Sequence, residues 1–226
     1  VVDEPDEAGI IPAFCEEAES YLSPAFLSNL DVVYIGHFKD LKGRNASFAN
    51  GAIYMRADEP TSFDFLENFV HEVAHSLENE YGLQLYTDAL KQEFLGKRER
   101  LQHILKSQGY TISPLLYQFT EYNQKFDEFL ALEVGYPTLL TLTMGLFVSP
   151  YAATSLQEYF ANGFEKYILE NPRIVRDTSP ILYDKIEEII DDKQTWTHIL
   201  LGIKRLGPMP PLSQEGMDRK GRSIWG

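Results

Sequence analysis

The stretch Asn68-Phe69-Val70-His71-Glu72-Val73-Ala74-His75-Ser76-Leu77-Glu78 decides how this chain is read. It contains His-Glu-x-x-His, and on a helix two residues four apart share one face. That spacing lets both imidazoles reach one zinc ion while the intervening glutamate stands beside the metal's water. With Leu66 as zero on a helical wheel, Val70, Val73 and Leu77 fall within about 40°, whereas His71 and His75 fall at about 140° and 180°. A histidine in an apolar helix is ordinarily a satisfied core residue, but these two avoid the apolar stripe. The helix therefore has one face for a core and another for chemistry. Thr61 or Ser62 can cap its start, Asp64 and Glu67 suit its early turns, and Gly82 is the expected stop.

Upstream, residues 1–9 are acidic and expected to fray, Ile11 to Leu22 reads as a short helix, and Ser23-Pro24 can start another. Asp31 to Phe38 is rich in β-branched and aromatic residues and reads as a strand, followed by a turn at Lys42-Gly43-Arg44-Asn45. Asn45-Ala46-Ser47 matches a glycosylation acceptor and, without a secretory context, is read as chance. Gly51 to Arg56 reads as a second strand, stopped by Asp58-Glu59-Pro60. Strand, acidic turn and His-bearing helix follow in the order a zinc-peptidase lobe requires. The second strand is therefore expected to be a sheet edge, with Ala52, Ile53 and Tyr54 offering backbone hydrogen bonds to an extended substrate.

Downstream the pattern is helical. Leu85 to Ser107 has apolar residues at helical intervals, and its charge run Lys97-Arg98-Glu99-Arg100 reads as a solvated face. Ser113-Pro114 supplies a cap and first-turn proline for a helix to about Val134, stopped by Gly135 and Pro137. Further helices are expected over Ser155 to Leu169, from Ser179-Pro180 to Asp192, and from Thr195 to Leu206. From Gly207 the composition shifts to Gly-Pro-Met-Pro-Pro and then Asp218-Arg219-Lys220-Gly221-Arg222, a flexible end or an arm that docks on a partner. The expected class is α+β: one catalytic domain over residues 1–206, with an α/β lobe at 1–82 and a helical lobe at 83–206, and a tail at 207–226.

The 226 residues suffice for a sizeable core, and 44% hydrophobic content fits a folded chain. A net charge of −14 argues against nucleic acid, which needs clustered Lys and Arg, and disfavours an anionic membrane surface. A cationic peptide would suit it. The apolar run Thr138 to Val148 is too short to span a bilayer and reads as a buried helix or strand. Cys15 is the sole cysteine, which forbids an internal disulfide and leaves the redox compartment open. The chain opens at Val1 with no signal peptide in view, consistent with a processed or trimmed product, so localisation stays open.

Zinc needs a third protein ligand. Glu78, three residues past His75 on the same helix, is poorly placed for it. In the segment Leu156 to Tyr167, Leu156, Phe160, Phe164 and Tyr167 form an apolar stripe, and Glu158, Asn162 and Glu165 lie opposite. An exposed glutamate is the usual fate of such a residue, but a two-His site requires an acid, and Glu158 is the expected ligand.

His-Glu-x-x-His followed by a helix of the form Glu-aromatic-Phe-Ala-x-x-Phe resembles the gluzincin metallopeptidases that include the anthrax lethal factor protease domain and the secreted Pro-Pro endopeptidases. The resemblance covers about Gly51 to Tyr81 and Pro150 to Ile190. It implies a zincin-like fold, Glu158 as the third ligand, and Tyr151, before the ligand helix, as the oxyanion donor. Where the family has a second acid one turn after that ligand this chain has Asn162, whose amide oxygen could accept an N–H from a ligating histidine. The separation of His75 from Glu158 exceeds the family's, so the intervening helices are an added or enlarged element. A secreted or toxin-like setting follows from the resemblance alone.

The expected function is a zinc endopeptidase holding one Zn2+ through His71, His75 and Glu158, with Glu72 as general base and a protein or peptide substrate. Two alternatives stay open. One is a zincin-fold assembly or binding module, with the tail as its docking arm; the other is an amidase or hydrolase acting on a non-peptide substrate.

Overall fold

The computed structural model describes residues 1–3, 9–41 and 44–206, with side chains through Thr195. The chain runs through helix α1 (Ile10–Tyr21), a 3-10 turn at Pro24–Leu27, and strands β1 (Val32–Gly36), β2 (Ala46–Ala49) and β3 (Ala52–Arg56). Helices α2 (Ser62–Leu85) and α3 (Asp88–Ser107) follow. Next come a 3-10 turn at Pro114–Gln118, α4 (Gln124–Glu128), a π-helical turn at Phe129–Val134 and α5 (Tyr136–Leu142). The described elements close with a 3-10 turn at Tyr151–Ala153, α6 (Leu156–Leu169), α7 (Pro172–Thr178) and α8 (Pro180–Leu206). The class is α+β, predominantly helical with one small sheet. The expected break at Asp192 is absent, because α8 continues through it. The tail expected at 207–226 lies outside the described residues.

The sheet has the order β1-β3-β2, with β1 parallel and β2 antiparallel to β3. This corrects the edge assignment of Ala52, Ile53 and Tyr54: they belong to the central strand, whose backbone groups are taken up on both sides. The cause is the two-residue turn Asn50-Gly51, with both φ angles positive (50° and 78°), the hairpin geometry whose twist matches that of the strands. It folds β2 back onto β3 and makes β2 the free edge. Gly51 is required for a second reason: a Cβ there would stand 2.6 Å from Oδ2 of Asp31. Residues 1–3 do not fray, since Val2 and Asp3 donate backbone N–H groups to the Ile35 carbonyl at the β1 side.

Helix α2 forms as the periodicity predicts. Leu66, Val70, Val73 and Leu77 are fully buried, and the Thr61 hydroxyl accepts the Asp64 N–H as the N-cap. It runs past Gly82 because Tyr81 and Leu85 are both buried, and burying such side chains outweighs the roughly 1 kcal/mol a mid-helix glycine costs. Phe14 of α1 packs on it against Phe65 and Phe69, with ring centroids 5.9 and 5.4 Å apart. Helix α6 lies against α2 and is backed by α8, where Leu182 and Ile186 seat over Gly163. The buried side chains form one continuous cluster from Ile10 to Ile189, so sheet and helices share a core.

Half of the charge run on α3 departs from the expected solvated face: Glu99 and Arg100 are exposed, but Lys97 and Arg98 are buried. Arg98 is fully buried, its guanidinium 4.0 Å from the Phe126 ring centre and donating to the carbonyls of Thr154 and Leu116 at 3.2 and 2.5 Å. Lys97 donates to Leu146 and Thr178 carbonyls, each at 2.6 Å. One turn earlier Glu93 accepts the backbone N–H groups of Ile181 and Leu182 at the start of α8, where the helix dipole favours an anion. These charges are held by backbone groups that no sequence period reveals. The expected helix from Pro114 to Val134 is broken, because the Leu116 carbonyl turns to Arg98 and Asn123 caps a new start by accepting the Phe126 N–H. In Thr138 to Val148, Leu139, Leu146 and Phe147 are buried but Leu140 and Met144 are exposed, so the run is only partly a core element. Among the described residues no helix is long and apolar enough to cross a membrane.

Candidate metal centre

Because α6 lies along α2, the polar faces of the two helices meet. His71 Nε2 is 3.0 Å from one Glu158 oxygen, and His75 Nε2 is 3.8 Å from the other. One ligand atom from each of His71, His75 and Glu158 lies within 4.8 Å of the others. The local fold on α6 explains how Glu158 is freed for this. Ser155 caps the helix by accepting the Glu158 N–H at 3.1 Å, the first half of a capping box. The Glu158 carboxylate turns away from the reciprocal bond and into the cleft.

Behind each histidine stands a second carboxylate. Glu165 Oε2 lies 3.2 Å from His71 Nδ1, and Glu78 Oε1 lies 2.6 Å from His75 Nδ1. A carboxylate only accepts, so each Nδ1 carries its proton and each Nε2 faces the centre, the orientation in which metal-ligating histidines are held. Gln157 donates to the other oxygen of Glu78 at 2.9 Å and steadies it. Asn162 does not take the role expected of it. Its amide oxygen accepts the Ser149 hydroxyl at 2.5 Å and its NH2 donates to the Glu158 carbonyl at 2.8 Å, so it braces the loop against α6.

The electrostatics follow from burial and pairing. Burial pushes the His71 imidazolium down, yet hydrogen bonds and charges from Glu158 and Glu165 outweigh it and lift the pKa to about 10. Burial pushes Glu158 up, but the His71 hydrogen bond and the charges of both histidines hold it below the usual carboxylate range. The proton between His71 and Glu158 stands where a cation would be held. Glu72 is buried, which raises its pKa against the opposing charges of His75 and His71. Its Oε2 accepts the Phe48 N–H of β2 at 2.6 Å, which fixes the carboxylate beside the centre.

These groups line one cleft of about 970 Å³. Its floor is α2 and α6, and one side is the edge strand β2 with Arg44 and Asn45 before it. Tyr122, Asp127, Tyr136 and Tyr151 line the cleft as well. Tyr151 is half-buried, and burial and the Glu158 charge raise its phenol pKa well above normal, which keeps it a hydrogen-bond donor. Of the residues expected at the site, His71, Glu72, His75, Glu158, Asn162 and Tyr151 come together here, whereas Ala52, Ile53 and Tyr54 line no part of it. Glu78 and Glu165 as partners of the histidines, and β2 as the edge, escaped the sequence reading. Asn50-Gly51 between two apolar runs was the signal for β2.

Two imidazole nitrogens and one carboxylate oxygen, converging with their supporting carboxylates in place, are a donor set that fits zinc with a position left open. Neither a family model, nor a curated protein, nor a solved structure matches this chain.

Proposed function

We propose that this chain is a zinc-dependent endopeptidase of zincin-like fold, with His71, His75 and Glu158 as ligands. One observation carries the reading: three donors from two helices converge while both histidines are oriented from behind by Glu165 and Glu78. A helix pair meeting by chance supplies no reason for that second layer. Bound zinc would supply a water acidified from pKa 15.7 to about 7 and polarisation of the attacked carbonyl.

The chain's own groups do the rest. Glu72, fixed by the Phe48 N–H, receives the proton of the attacking water and passes it to the leaving amine. The Tyr151 phenol donates to the oxyanion that develops on the substrate. An extended peptide lies along β2. In its antiparallel pairing with β3, Asn45 accepts the Arg56 N–H, which turns the alternate residues Ala46 and Phe48 outward; the Phe48 N–H goes to Glu72, and the Phe48 carbonyl and the Ala46 backbone groups are left to face the substrate.

The test is zinc content together with digestion of a mixed peptide pool, with and without chelator, for the unmutated protein and Glu72→Gln. The expected result is one zinc per chain in both, chelator-sensitive cleavage in the first, and turnover lowered about 10²–10⁴-fold in the second. Full turnover by Glu72→Gln defeats this mechanism. A zinc-loaded, unmutated protein that cuts no peptide defeats the peptidase reading.

A further inference from the structure

Six carboxylates line the cleft, and Arg44 is the single Lys or Arg that lines it among the described residues. Four have a role at the centre: Glu158, Glu72, Glu78 and Glu165. Glu67, one turn before His71, stands near Glu165 and Lys166. Asp127 remains. It comes from α4, and no ion pair joins it to a described Lys or Arg. The phenols of Tyr122 and Tyr136 donate to its two oxygens at 2.7 and 3.0 Å. The Tyr136 ring meets Tyr151 nearly perpendicularly, with centroids 6.3 Å apart, so this group is continuous with the expected oxyanion donor. A carboxylate offers about four acceptor positions, and two phenols leave it able to take more. The chain itself shows what suits the place: the Arg44 guanidinium stands 5.8 Å from the centre of the Tyr122 ring.

We propose that Asp127 with Tyr122, Tyr136 and Tyr151 forms a subsite for a basic side chain, so that the cleft selects peptides carrying Lys or Arg close to the scissile bond. The inference rests on the peptidase reading above and adds the substrate class. An ammonium or guanidinium in this group meets both a carboxylate and aromatic faces, and each attracts it. The surrounding acids favour the same sign of charge and repel acidic peptides. A neutral side chain of equal length gains neither contact. On a half-buried wall the two together are expected to be worth about tenfold in affinity.

The experiment uses zinc-loaded Glu72→Gln and fluorescent peptide pools that carry either Lys or its neutral isostere norleucine at one defined position, scanned in turn. The expected result is about tenfold tighter binding of the Lys pool at one position. Asp127→Asn, which keeps an acceptor for a phenol and removes the charge, should bring the ratio close to one, and Asp127→Glu should restore part of it. Equal binding at every position, no binding of either pool, or a Lys preference that survives Asp127→Asn overturns the assignment. A Lys preference lost in Asp127→Asn, with no cleavage by the unmutated zinc-loaded protein, supports the subsite and overturns the peptidase reading instead.

Discussion

Helix α2 and the segment from Ser113 to Ser149 line different parts of one cleft by opposite means. In α2, a single regular period places buried Leu66, Val70, Val73 and Leu77 on one side and His71 and His75 on the other. The second segment holds no long period. A 3-10 turn, the five-residue α4, a π-helical turn and α5 follow in close succession, and they place Tyr122, Asp127 and Tyr136 on the cleft wall. The difference teaches that a regular helix suits groups whose mutual spacing must be fixed, as proposed for His71, Glu72 and His75, whereas broken backbone suits the recognition surface proposed around Asp127. Catalytic geometry tolerates little displacement, and a regular helix holds it through its own hydrogen bonds. The irregular wall depends on distant groups, above all the buried Arg98.

Substitutions that separate the two walls test this contrast. The largest effect is expected from Tyr151→Phe, which removes the proposed oxyanion donor. Steady-state kinetics should show kcat lower by about 10²–10³ with little change in KM; a change confined to KM would make Tyr151 a binding residue alone. Next come the groups behind the histidines. Glu165→Ala and Glu78→Ala should each weaken zinc binding by about 10–100-fold in a competitive chelator titration, while the fold is kept. Unchanged affinity in both would remove the argument that α2 and α6 are built for a metal.

On the other wall, Arg98→Met leaves the Leu116 and Thr154 carbonyls without their donor. It should cost about 1–3 kcal/mol in denaturant unfolding and loosen the Pro114–Gln118 turn more than α2, as amide exchange would reveal. Loss of protection spread evenly over both walls would contradict the contrast. The smallest effect concerns Lys97. Burial pushes its pKa down to about 8 from 10.5. The unfolded chain therefore binds this proton more tightly, and the lysine's contribution to stability rises as pH climbs from about 8 toward 10.5. Lys97→Met should lack that rise when both proteins are melted between about pH 8 and 9.5.

How far each part could be read follows from where its partners lie. Local features were legible: the two faces of α2, the Thr61 cap, β1, and the Ser155 start of α6 with Glu158 facing the other way. The hairpin turn Asn50-Gly51 is legible too, and it makes β2 rather than β3 the edge. Lys97 and Arg98 could not be placed from sequence. A run of charges on a helix reads as solvated unless one knows that carbonyls of Leu146, Thr178, Leu116 and Thr154 will surround it. Asn162 departs from expectation for a similar reason, because Ser149 takes the oxygen expected to hold a histidine.

By itself, the sequence determined the groups that depend on one helix's geometry. His71, Glu72 and His75 share a face because 3.6 residues make a turn, and Glu158 opposes an apolar stripe for the same reason. Only the tertiary structure decided that α2 and α6 lie together, that Glu78 and Glu165 stand behind the histidines, and that β2 carries the free edge. Those choices are made by packing between residues as many as 94 positions apart, as His71 and Glu165 are, and no period in the chain records them.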